Sequence, residues 1–168
     1  MDHLGTESPI DSPRIADTMI TTKPATEKDH QFIHQVHRLT YRAIIERQFG
    51  YWDAQRQSGL VDCDLATDRY EIVLWQGVPC GFFSFNTDGG RLHLINFAIH
   101  PQYQGRGIGS RILEQMKQRA QRKNQPLTLG AYKTNMKARK FYESHGLRKS
   151  GETTVHILYR WQPASSPE

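Results

Sequence analysis

Two groups of residues have types and spacings that could do chemistry. The first is Gln104-Gly105-Arg106-Gly107-Ile108-Gly109-Ser110, which lies between an apolar run ending at His100-Pro101 and a helical pattern beginning near Gly107. A helix N-terminus leaves up to four N–H groups unpaired, and its dipole favours negative charge. Glycines remove the Cβ that would hold a phosphate off the backbone. The loop is therefore a pyrophosphate cradle in outline. A Walker loop requires G-x-x-x-x-G-K-[ST], and no Lys follows Gly109. A dinucleotide fingerprint requires G-x-G-x-x-G in a first strand–helix unit, with an acid about 20 residues on. Here the spacing is G-x-G-x-G, the unit comes late, and the next strand ends Gly130-Ala131-Tyr132-Lys133 without an acid. Coenzyme A is the third nucleotide-bearing ligand to weigh.

The second group is the histidines. His30, His34 and His37 could share one helical face, and His30 and His34 have the i, i+4 spacing of a zinc pair. No carboxylate accompanies them in the H-E-x-x-H manner, so they read as a solvated stripe and no metal is expected. Cys63, placed in a loop, and Cys80, placed in a strand, are too few for a disulfide framework or a four-cysteine zinc site. His145 is placed at a helix C-terminus, where a cation is favourable.

The elements that must position these residues follow from periodicity. Residues 20–24 form a short strand. Thr26 and Asp29 have the pattern of a helix start. Phe32, Val36, Leu39 and Ala43 then mark a buried helical face to about Arg47. A second helical stretch is predicted from Tyr51 to about Ser58. A β-meander follows over 70–76, 80–86 and 92–100, the last nearly continuous in apolar residues and so central. A helix is predicted over 107–124 and a strand over 127–131. This unit is a right-handed crossover that joins parallel neighbours. A short helix over 136–144, capped by Asn135 and ended by Gly146, and two closing strands at 147–149 and 153–161 complete the chain.

The 168 residues suit one domain over 19–162, with flexible polar tails at 1–18 and 163–168. Neither a membrane span nor a secretory signal is read, which points to the cytoplasm. The net charge of +5 suits a polyanionic small molecule as well as nucleic acid. No run of five or six like charges favours nucleic acid, and none is expected as a partner.

With both cofactor-side motifs in view, the chain resembles the GNAT superfamily of acetyl-CoA-dependent N-acetyltransferases. Gln104-Gly105-Arg106-Gly107-Ile108-Gly109 matches that family's [QR]-x-x-G-x-[GA] motif. Residues 135–147 are similar to its N-x-x-A-x-x-F-Y-x-x-x-G-F segment, with Leu147 in place of the usual Phe. The resemblance covers roughly residues 20–162. It implies an α/β fold with a mixed, mostly antiparallel sheet of six to seven strands and helices on both faces. It also implies that backbone groups of Phe97, Ala98 and Ile99 pair with the pantetheine arm. Amides of Gly105, Arg106, Gly107, Ile108, Gly109 and Ser110, after Gln104, would hold the pyrophosphate. Asn135 would touch the pantetheine or acetyl end, and Tyr142 would stand near the thioester sulfur as general acid.

Acetyl transfer requires a neutral amine. At pH 7.4 an alkylammonium is neutral about one time in a thousand, a deficit of roughly 4 kcal/mol. A general base or a desolvating pocket must cover that gap. His93, in the central strand, is the candidate base, because an imidazole titrates near 6.5. By alternation His93, Ile95 and Phe97 share one face. Tyr41, Glu46, Phe49, Tyr51, Trp52 and Asp53 are the candidates for shaping the acceptor pocket, as aromatics and acids suit a cationic amine. A small-molecule amine is the expected acceptor, with a protein N-terminus or lysine as the alternative. A non-catalytic acyl-CoA sensor is the reading of another class. An edge strand could support a homodimer.

Overall fold

The computed structural model describes residues 19–165, so the tail expected at 1–18 lies outside the described residues. Ile20–Pro24 (β1) leads through a 3-10 turn, Glu27–Asp29, into a 20-residue helix, His30–Phe49 (α1). Thr26 N–H donates to Asp29 Oδ2 at 2.8 Å, the arm of the cap that the sequence predicts. The buried face of α1 is rotated from the predicted one. Ile33, Val36, His37 and Ile45 are buried, whereas Leu39 is 46% exposed and Ala43 is exposed. Ile33, not Phe32, packs deepest with Ile72 and Phe82 of the sheet, and this carries His37, one turn on, inward with it.

The second helix, Ala54–Thr67 (α2), is longer than predicted. Asp53 caps it, accepting Arg56 N–H at 2.9 Å. Gly59 passes through the helix instead of ending it. Cys63 therefore sits on an exposed helical surface and not in a loop.

The meander is Arg69–Trp75 (β2), Val78–Asn86 (β3) and Leu92–Ile99 (β4). Ile108–Arg122 (α3), Leu127–Tyr132 (β5) and Met136–Ser144 (α4) follow. Arg148–Glu152 (β6) and His156–Trp161 (β7) close the chain. The last strand starts at His156 instead of Thr153, because Thr153 Oγ1 accepts the N–H groups of Val155 and His156 and so bends the chain. Past it, Ala164 exchanges two hydrogen bonds with the Gln121 side chain.

The sheet has seven strands in the order β1-β2-β3-β4-β5-β7-β6. All pairs are antiparallel except β4 with β5. Helices cover both faces. α1 and α2 enclose one core with Tyr70, Ile72, Phe82 and Ala98. α3 and α4 enclose the larger core through Ile112, Leu113, Met116 and Tyr142. Among the described residues no helix is long and apolar enough to cross a membrane.

Two irregularities in β4 position everything that follows. Its parallel pairing with β5 covers only Leu92–Leu94 against Leu127–Leu129, so beyond those residues the two strands part. The register with β3 also shifts between Ser84 and Phe85, leaving Ile95 as the extra residue of a bulge. Leu92 and Leu94 point into the α3 core before the bulge, and Phe97 and Ile99 do so after it. His93 and Phe97 therefore lie on opposite faces, which corrects the shared face expected from strict alternation.

Candidate active site

Where β4 and β5 part, a cleft of ≈ 750 Å³ opens. One end is the glycine loop and the start of α3. The other is walled by α1 and α2, with Gly130, Ala131, Tyr132 and His156 along its side.

The glycine loop is built as its composition predicts. Gly105 and Gly107 take φ of 75° and 81°, and a Cβ on either would stand in open space at the cleft. Gly107 caps α3, whose first intrahelical N–H is that of Arg111, donating to Gly107 C=O at 3.1 Å. The amides of Ile108, Gly109 and Ser110 thus point out of the helix end, toward the cleft they line. Gln104 Nε2 donates to Ile99 C=O at 2.8 Å, and Lys137 Nζ donates to Gln104 Oε1 at 3.3 Å. That chain ties β4, the loop and α4 together. The Arg106 guanidinium turns the other way and lies 4.7 Å over the Trp75 ring. Its Nη2 donates to Gln102 C=O at 3.4 Å, so the side chain braces the turn that leads into the loop.

Phe97, Ala98 and Ile99 all line the cleft. The Tyr41 hydroxyl sits between the backbone groups of Phe97, accepting from its N–H at 3.3 Å and donating to its C=O at 3.4 Å. Burial pushes the Tyr41 phenol up to about 12. Its ring stacks on His37 at 4.7 Å, and burial, followed by the charge of His34, pulls the His37 imidazole down to about 4. His37 is thus a neutral cleft-lining side chain, not part of a solvated stripe. His34 instead meets Asp62 at 2.8 Å on the exterior.

Asn135 lines the cleft as the cap of α4, its Oδ1 accepting Ala138 N–H at 3.2 Å. Tyr142 lines the cleft from the same helix. It is 9% exposed, and burial raises its phenol well above the ordinary value. Its hydroxyl takes no hydrogen-bond partner among the described residues, so it is free to donate. His145 closes α4 as expected, its ring Nδ1 2.8 Å from Phe141 C=O.

His93 does not line the cleft. Its Nδ1 lies 2.8 Å from Thr128 Oγ1 on β5, inside the paired stretch. Burial, then the charge of Arg91, lowers its basicity. The predicted acceptor aromatics also separate. Tyr41 lines the cleft, but Phe49 and Tyr51 are exposed. Trp52 stands beside His37 at 5.9 Å, in a neighbouring hollow. Glu46 pairs with Arg42, and Asp53 is spent on the cap of α2. A residue that the sequence reading passed over, Asp64 of α2, lines the cleft instead. Its signal was the continuation of helical spacing through Val61 and Leu65, hidden by Gly59.

Against known families, residues 31–147 match the Acetyltransferase (GNAT) family. The chain belongs to the GNAT acetyltransferase family. Solved GNAT-like structures superimpose on most of it. An acetyltransferase from Thermus thermophilus gives a TM-score of 0.71 at 21% identity, covering 86% of this chain and 97% of that one. The PaiA N-acetyltransferase from Thermoplasma acidophilum, solved with coenzyme A, gives 0.67 at 12% identity, covering 85% and 98%. The ribosomal-protein-S18-alanine N-acetyltransferase from Escherichia coli gives 0.67 at 17% identity, covering 89% and 97%. Comparison with curated proteins returns no match. As a GNAT enzyme the protein is a transferase that takes its acetyl group from acetyl-CoA. The open left-handed glycines, the outward amides of α3 and the edge of β4 that no strand covers beyond Leu94 suit a diphosphate carrying an extended arm.

Proposed function

We propose that this GNAT enzyme acetylates the primary amine of a small molecule by direct attack, with both substrates bound together. The observation that carries the reading is continuity: the glycine loop and the α1–α2 wall border one cleft, which Tyr142 and, from α1, Tyr41 also line. A walled cleft with apolar sides suits a compact acceptor better than a folded protein surface.

Acetyl-CoA, when bound, supplies an activated acetyl group as a thioester. The chain's own residues do the rest. The loop amides from Gly105 to Ser110 and the positive end of the α3 dipole neutralise the diphosphate. The backbone of Phe97, Ala98 and Ile99 offers a strand edge to an extended chain, which requires the Tyr41 hydroxyl to yield its place at Phe97. Gln104 braces the loop against this edge, Lys137 ties α4 to Gln104, and Asn135 caps α4. Tyr142, held protonated by burial, donates to the leaving sulfur.

The test is a screen of primary amines, amino sugars and N-terminal peptides with the purified protein and acetyl-CoA, reading release of free thiol and the mass of the product. Thiol release with small amines supports the proposal. Release only with peptides would assign the cleft to a protein N-terminus, and no release with any amine would leave an acyl-CoA-binding module.

A further inference from the structure

Among the described residues that line the cleft, Asp64 is the one carboxylate. A relay of buried polar groups aims it. Ser84, wholly buried, lies 3.0 Å from Asn96 Nδ2 and accepts Asn96 N–H at 3.2 Å. The Tyr70 hydroxyl lies 3.1 Å from the same amide nitrogen. Asn96 Nδ2 in turn donates to Asp64 Oδ2 at 3.1 Å. Asn96 directly follows the bulge in β4, which turns this amide toward α2. Oδ1 of Asp64 takes no partner among the described residues. The cleft that it lines also carries Ile44, Leu60, Val61 and Tyr41. The cations lining the same cleft, Arg47 and Lys137, form no ion pair with it. A carboxylate fixed on one oxygen and open on the other, on a cleft with apolar walls, calls for a cation.

We propose that Asp64 receives the acceptor's ammonium group and takes its proton, so that the acceptors are alkyl- or arylalkylamines that are charged in water. This rests on an amine acceptor. A carboxylate beside the ammonium holds it by charge and offers its proton a path to solvent. Asp64 removes one proton from the ammonium nitrogen. The freed electron pair makes the C–N bond as the thioester C–S bond breaks, and Tyr142 gives its proton to the sulfur. Solvent takes the proton from Asp64 and a second one from the nitrogen as the amide forms, and returns one to Tyr142, so each turnover releases one proton. Asn96 is a positioning residue.

The experiment compares 2-phenylethylamine with its neutral isostere 2-phenylethanol by saturation-transfer NMR, without acetyl-CoA. The wild type is expected to bind the amine more than about tenfold tighter. Asp64→Asn keeps an oxygen for Asn96 and should remove the preference, with kcat/KM for any amine substrate falling about 100-fold. Asp64→Glu, which keeps the charge, should retain the preference and guards against a folding defect in the first variant. Equal binding of amine and alcohol by the wild type, or a preference that survives Asp64→Asn, overturns the assignment. If the preference is present and lost as expected while no small amine is acetylated, Asp64 stands and the small-molecule reading falls.

Discussion

Tyr142 and His37 are both buried ring side chains lining one cleft, and burial gives them opposite uses. For Tyr142 it keeps the proton on, which an acid needs. Tyr142→Phe keeps the packing with Phe141 and Tyr159 and removes only the donor. The expected result is a fall in kcat of about 10- to 100-fold, the low end for acid catalysis because a thiolate leaves readily. Calorimetry should find acetyl-CoA affinity within about twofold of wild type; a matching loss of affinity would make Tyr142 a binding residue instead. For His37 burial keeps the proton off. Its folded value is about 4, below 6.5 for an unfolded chain, so the unfolded state takes the proton first as pH falls. Stability from this residue is full above about pH 6.5 and drains away down to about pH 4, by roughly 3 kcal/mol. His93 and His156, also lowered by burial, push the same way. His37→Phe, which preserves a ring against Tyr41, should flatten the fall in Tm between pH 7.5 and 5 without abolishing it. An unchanged slope would show that His37 is solvated.

At the scale of elements, the glycine loop and the β3–β4 pair carry the site, and each has a glycine that fixes its path. Gly107 holds a left-handed φ of 81° with open space around it, so a side chain there costs backbone strain of about 1–3 kcal/mol and fills the cradle. Gly107→Val should weaken coenzyme A binding by more than about tenfold in calorimetry, and unchanged affinity would move the diphosphate elsewhere. Gly81 is different. A Cβ on it would run into the Ala98 carbonyl oxygen, forcing β3 from β4 beside the cleft. Gly81→Ala should cost about 1–3 kcal/mol, or roughly 3–10 °C in Tm, and a neutral result would mean that the strand pair yields freely. The loop, the crossover and α4 were legible in the sequence because each is written locally, as glycines, a cap and a repeat of 3.6. The bulge at Ile95 was not, since it exists only against β3, and it moved His93 off the face of Phe97. Asp64 escaped for a related reason: Gly59 looks like a stop, and only the packing of Val61, from α2, with Ile72 and Phe82 of the sheet shows that the helix continues.

At the scale of the whole molecule, the sheet is two blocks, β1 to β4 and β5 to β7, joined by a parallel ladder of three residue pairs. Few other ties cross the gap at the cleft. Gln48 at the end of α1 accepts from Thr134 Oγ1 at 2.9 Å and from Thr134 N–H at 3.3 Å, beyond the end of β5. A ligand whose extended arm lies along β4 and whose diphosphate sits on α3 would bridge what the ladder leaves open. Binding to the folded state alone stabilises by about 2.7 kcal/mol at 100 times Kd. For a chain of this size that corresponds to a rise in Tm of about 5–10 °C. Gln48→Ala removes two hydrogen bonds at the gap and should lower the Tm of the free protein by a few degrees. Saturating acetyl-CoA should then restore most of the loss, since the bound arm braces the same opening. If acetyl-CoA raises the Tm of both proteins by the same amount, the two ties are independent, and the parted strands are a preformed slot rather than a joint that the ligand completes.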